Sequence, residues 1–187
     1  MGKMIMSSEL QQVEAWLDNV VIGLNLCPFA AKPRRQKQIY IDMFDGSVDT
    51  LMNHLATALT EMDHYGAEQR ETTLIVLTNC LDSFDDYNQF LGDADWVIER
   101  GDWLGVYQVA SFHPDYRFEG THSKDAENLT NRAPFPILHL IREASLEAVL
   151  EKYPSPEQIP EDNIKRMQGL SEAERLSLFP FLFHNSK

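Results

Sequence analysis

Four side chains in this sequence could together carry acid–base, nucleophilic or metal-binding chemistry: Cys27, His113, His139 and Glu143. Imidazoles exchange protons near neutral pH. On a helix, a Glu four residues after a His can fix the tautomer of the ring by hydrogen bonding. A thiol beside a histidine can be activated as a nucleophile. On this reading His113 is the general acid/base, His139 is a second base or ligand oriented by Glu143, and Cys27 is a nucleophile or metal ligand. A Cys27, His113 and His139 set, completed by Asp125 or Glu143, would also suit a divalent metal such as zinc. No HxxxH or CxxC pair accompanies it.

The run "VASFHPDYRF" locates this chemistry. Val109, Ala110 and Phe112 read as the end of a buried strand, and His113-Pro114 stops the pattern. The polar stretch that follows, through Ala133, exceeds the roughly 12–15 residues beyond which unstructured connections are uncommon and often functional. It carries Asp115, Tyr116, Arg117, His122, Asp125, Asn128, Asn131 and Arg132. Arg132 lies just ahead of an expected helix, where free backbone N–H groups favour anions. Arg132 or Arg142 could therefore hold a substrate carboxylate or phosphate. Cys27 follows a helix, whose carboxyl end would raise a thiol pKa, and it lacks the second cysteine of a redox pair.

These residues need a scaffold. Val13, Trp16, Leu17, Val20, Val21 and Leu24 follow helical spacing, with Ser8 and Gln11 as a capping pair and an end near Gly23–Asn25. "QIYIDMF" reads as a first strand. Ser47 caps a second helix through Leu51, Leu55 and Leu59, and "TTLIVLT" is a strand covered on both faces. A third helix carries Phe84, Tyr87, Phe90 and Val97, and "LGVYQVASF" is the third strand. After the loop, Pro134 and Pro136 introduce an expected fourth helix through Ile137, Leu138, Ile141, Ala144 and Ala148, with His139, Arg142 and Glu143 on its opposite face. The expected fold is a single α/β domain over residues 1–187, with a mainly parallel three- to four-stranded sheet and helices on both faces. A helical tail follows from about residue 161, with "LFPFLF" packing back on the body. In such folds ligands lie beyond the carboxyl ends of the strands, where His113 falls.

The composition, with a formal net charge of −13 over 187 residues, is that of an acidic globular domain. Such a field repels phosphate backbones and anionic lipid heads, so nucleic acid and membranes are not expected partners. A small-molecule ligand, polar or anionic, is expected instead. Cys27 and Cys80 have no framework spacing, and "MGKMIM" lacks a signal-peptide core, so a cytoplasmic location is expected. No P-loop, GxGxxG or GxSxG motif supports nucleotide-dependent or α/β-hydrolase chemistry.

The segments "VIGLNLCPFA", "ETTLIVLT", "ASFHPDYRFEGT" and "NLTNRAPFPILHLIREAS" resemble a bacterial family of uncharacterised proteins, domain of unknown function 1415. The resemblance covers about residues 8–160 and implies no activity or cofactor. It places Asn25, Cys27, Pro28, Phe29, His113, Pro114, Tyr116, Asn131, Arg132, His139, Arg142 and Glu143 at family-motif positions. Asn25, Tyr116 and Asn131 join Arg132 and Arg142 on that ground as candidate substrate-binding residues. The leading expectation is an enzyme acting on a small polar or anionic metabolite. One alternative is a non-catalytic module binding a metabolite or a protein. Another is a structural network of His113, Arg132, His139 and Glu143 that pins the loop. A shared site requires the sulfur and imidazole nitrogens to come within about 4 Å of a common point.

Overall fold

The computed structural model describes residues 8–183; the opening "MGKMIM" and His184 lie outside them. The chain opens with α1 (Ser8–Trp16), which widens without a break into a π-helix over Leu17–Ile22. Val13, Trp16, Leu17, Val20 and Val21 are all buried, as their spacing requires. The wide winding shows in its bonds, with Leu26 N–H reaching the Val21 carbonyl and Gly23 N–H the Asp18 carbonyl. Gly23 is obligatory there, because a Cβ would lie 2.3 Å from the Asn19 carbonyl oxygen. Asn25, in the left-handed region with φ 51°, then turns the chain away.

After the short α2 (Ala31–Arg35) come β1 (Ile39–Phe44), α3 (Val48–Tyr65), β2 (Thr72–Leu77), α4 (Phe84–Arg100) and β3 (Tyr107–Phe112). Ser83 caps α4 by accepting from the Asp86 N–H, which fixes where that helix starts. The long loop then runs to a 3-10 segment over Ala126–Asn131 and to a fourth strand, β4 (Ile137–Arg142). α5 (Glu143–Leu150), α6 (Ile159–Gln168) and α7 (Glu172–Leu178) complete the chain, and Phe179 after α7 is fully buried.

The strands form one four-stranded sheet in the order β1-β2-β4-β3. α3 and α4 cover one face through Leu51, Leu55, Leu59, Met62, Tyr87 and Phe90, packed on Ile75, Leu77, Leu138 and Leu140. α1, the π-helix and the tail cover the other, through Val13, Trp16, Val20, Met167 and Phe179 on Leu74, Val76 and Ile137. An α/β domain with helices on both faces is therefore present, and its sheet is mixed. β1 and β2 pair in parallel, whereas β4 runs antiparallel to both β2 and β3.

The expected fourth helix is where the sequence reading fails. Ile137–Arg142 is a strand, and helix begins only at Glu143. Ile137, Leu138, Ile141, Ala144 and Ala148 do fit a helical stripe, but the first half of that stripe is a strand buried on both faces. Ile137, Leu138 and Leu140 are fully buried, and such a run carries no period that separates strand from helix. The consequence is geometric. β1, β2 and β3 share a direction, so Phe112 and Leu77 end at the same side, with Ile137 beside Phe112. Arg142, paired with Tyr107, lies at the opposite side.

The two assignments make separable demands on stability. Leu138→Ala is expected to lose about 2–5 kcal/mol in urea unfolding, whereas Ala148→Lys, on an exposed face of α5, is expected to change stability by no more than about 0.5 kcal/mol. Comparable losses from both would restore the helical stripe.

Candidate functional site

His113 leaves the end of β3 and is fully buried. Its Nδ1 accepts the Asp115 backbone N–H at 3.0 Å. The ring proton therefore sits on Nε2, which donates to the Leu81 carbonyl at 3.0 Å. The rings of Phe84 and Tyr87 pack around it, with centroids at 5.4 and 5.1 Å. Burial holds its pKa below the usual imidazole value. Both nitrogens are thus committed to backbone, and the ring ties the β2–α4 connection to the beginning of the loop.

The loop is held by its own polar side chains. Asn128, fully buried, accepts from the Phe118 N–H (2.9 Å) and the Thr121 hydroxyl (2.9 Å) and donates to the His122 carbonyl (2.8 Å). Arg132 donates to the carbonyls of Tyr116 and Ser123 at 3.3 and 2.6 Å, and burial pushes its pKa down. Its own carbonyl receives the Trp16 indole N–H at 2.9 Å, which fastens the loop to α1. Asn131 donates to the Ser111 carbonyl at 3.0 Å, and its carbonyl accepts the His113 N–H. Tyr116 rests between Phe84 and Phe118 with centroids at 5.3 and 5.0 Å.

The remaining candidates lie elsewhere. His139 stands within β4 on the face opposite α3 and α4, paired in register with Leu74 and Ala110. It meets the Thr72 hydroxyl at 2.6 Å, and burial pulls its pKa down to about 4. Thr72 gives its own proton to the Leu140 carbonyl, so His139 donates through Nε2–H. Arg142 closes the far end of the sheet, donating to the carbonyls of Met62 and Arg70 and to the Tyr107 hydroxyl at 2.9 Å. Met62 belongs to the last turn of α3, whose carbonyls have no partner within the helix. Tyr107 in turn donates to Asp63 at 2.6 Å, and burial raises its pKa to about 12. Glu143 follows Arg142 and opens α5, so the expected His139–Glu143 pair on a helix does not form. Asn25 is exposed and its carbonyl receives Arg166 at 3.3 Å, a helix-capping role.

A cleft does exist at the carboxyl end of β3, on the face covered by α1. Its volume is about 380 Å³, at the low end of the range for small-molecule pockets. Val21, Leu26 and Cys27 form one wall, Phe112 the floor, and Phe118, Glu127, Thr130 and Asn131 the loop side. Ile159, Pro160, Asn163 and Ile164 of α6 close it. Asn163 fixes α6 to the π-helix end by donating to the Leu26 carbonyl at 2.8 Å. Of the candidates chosen from sequence, only Cys27 and Asn131 line this cleft. Burial pushes the Cys27 thiol up, although the backbone at Phe29 and Ala30 opposes the shift. Glu127, Thr130, Asn163 and Ile164 were not foreseen: a loop without periodicity hides the first two, and the others belong to a tail outside the recognised motifs.

Cys27, His113 and His139 supply no shared metal centre. Among the described residues no group of three or more His, Cys, Asp or Glu side chains could hold a metal ion. Likewise, among those residues no helix is long and apolar enough to cross a membrane. The family model described as "Protein of unknown function (DUF1415)" matches residues 8–176, so the chain belongs to that family. Neither the curated proteins nor the solved structures contain a match.

Both buried imidazoles have a pH consequence of definite sign. Their folded pKa values lie below the ordinary 6.5, to about 4 for His139. Below about pH 6.5 the unfolded chain takes up protons that the folded chain refuses. Stability is therefore complete above that value and is lost as pH falls through the folded pKa, on the order of 3 kcal/mol for His139. Urea titrations between about pH 7.5 and 4.5 should show the decline, and His139→Gln should flatten it; equal slopes for both proteins would contradict the assignment.

Proposed function

We propose that this chain binds a compact, mostly apolar small molecule in the cleft between the π-helix end, the loop after β3 and α6. The observation that carries the reading is the cleft itself: an apolar hollow at the carboxyl end of β3, next to a loop whose polar side chains are spent on holding its shape. Sites of this kind combine apolar walls with a few fixed polar groups, here Glu127, Thr130, Asn131 and Asn163. Acid–base catalysis by His113 has no free ring nitrogen to use, while Arg132 spends Nε and one Nη on loop carbonyls and Arg142 spends its guanidinium at the far end of the sheet. Binding without conversion fits these commitments better than the metal-assisted or His-based chemistry that the residue types invite.

Cys27 carries the one chemical alternative, since it lines the cleft. A thiol raised by burial stays protonated at neutral pH and is a poor nucleophile. Iodoacetamide at about pH 7 is expected to modify native Cys27 far more slowly than the urea-unfolded chain, and a fast native reaction would favour covalent chemistry. The binding reading is tested by ligand-observed NMR screening of small aromatic and aliphatic fragments. Ile164→Trp, which fills the cleft, should abolish binding while changing stability by no more than about 1 kcal/mol. Fragments that bind this variant as well as the native protein would place the site elsewhere.

A further inference from the structure

We infer that the ligand of this cleft carries a positively charged nitrogen, an amine or amidine on an apolar body, recognised by Glu127. This deepens the binding reading above and rests on it. Glu127 is half-buried in the 3-10 segment and lines the cleft. Among the described residues it forms no ion pair and no hydrogen-bond donor meets its carboxylate, in contrast to Glu14, Glu61 and Glu174, each of which has a partner. A carboxylate on a half-buried residue that lines an apolar cleft gains from an opposite charge brought to it.

Among the described residues nothing else in the cleft offers a charge: no Lys or Arg lines it, and the Cys27 thiol is kept neutral by burial. Phe112 and Phe118 add aromatic surface, which attracts cations through the ring face. The net charge of −13 raises the local concentration of cations and repels anions. The arginines that would have served an anionic ligand are turned away: Arg132 spans loop carbonyls, and Arg142 is at the far end of the sheet. On this inference the polar or anionic metabolite expected from sequence gives way to a cationic one.

Three probes of similar shape separate charge from shape: 2-phenylethylamine, 2-phenylethanol and phenylacetate. Titrated into the native protein at low salt, the amine should bind at least about tenfold more tightly than the alcohol, and the carboxylate more weakly than either. Glu127→Gln should remove the advantage of the amine and leave the affinity for the alcohol within about twofold. Alcohol binding with no preference for the amine, or a preference that survives Glu127→Gln, overturns the inference and leaves the binding reading standing. Binding of none of the three overturns both.

Discussion

The imidazole of His113 is the constraint on which the working end of the molecule depends. Fully buried, it spends one nitrogen on the Leu81 carbonyl and the other on the Asp115 N–H. These bonds join two parts of the chain distant in sequence: the entry to α4 at Leu81, and the junction where β3 passes into the loop. A buried ring with both nitrogens satisfied specifies one arrangement, whereas a ring missing either partner would carry the full desolvation penalty of a polar group. With its start fixed, the loop can be completed by short-range bonds from Asn128 and Arg132, and its last residues then form a cleft wall. A residue type associated with catalysis here does structural work at the site's edge.

The second constraint is the direction of β4. Inserted antiparallel between β2 and β3, it carries the segment from Ile137 to Arg142 from one end of the sheet to the other. Residues that a helix would have gathered into one patch are distributed along the sheet. His139 settles beneath the helices of one face with the Thr72 hydroxyl. Arg142 becomes the cap of α3 through the Met62 carbonyl and anchors the Tyr107–Asp63 pair. At these positions of β4, Arg142 thus satisfies a helix-end carbonyl and His139 meets the Thr72 hydroxyl.

What the sequence could reveal follows the same division. The apolar stripe of α1 and the alternation of β1 each carry one period, and the buried run of β2, which carries none, is short, rich in β-formers and set between polar segments; each was legible. The end of β3 was legible too, because Pro114 interrupts an apolar run at a place where α/β sheets present ligands. β4 was not, since Ile137, Leu138, Leu140 and Ile141 suit either period when both faces are buried. The cleft was half legible. Cys27 and Asn131 stand in recognisable motifs, but Glu127 is singled out only by having no partner among the described residues, which no local pattern records. The contribution of α6 depends on Asn163 reaching the Leu26 carbonyl across most of the chain.

The domain has two unlike ends, one closed by Arg142 and the other holding a cleft beside the loop pinned by His113, Asn128 and Arg132. The central proposal is that ligand binding occurs at the cleft end. Backbone amide shift mapping of isotope-labelled protein titrated with 2-phenylethylamine tests this most directly. Perturbations should concentrate at Cys27, Phe112, Glu127, Asn131 and Ile164, with Arg142 and Glu143 unmoved. Perturbations centred on His139, Arg142 and Glu143 would contradict it.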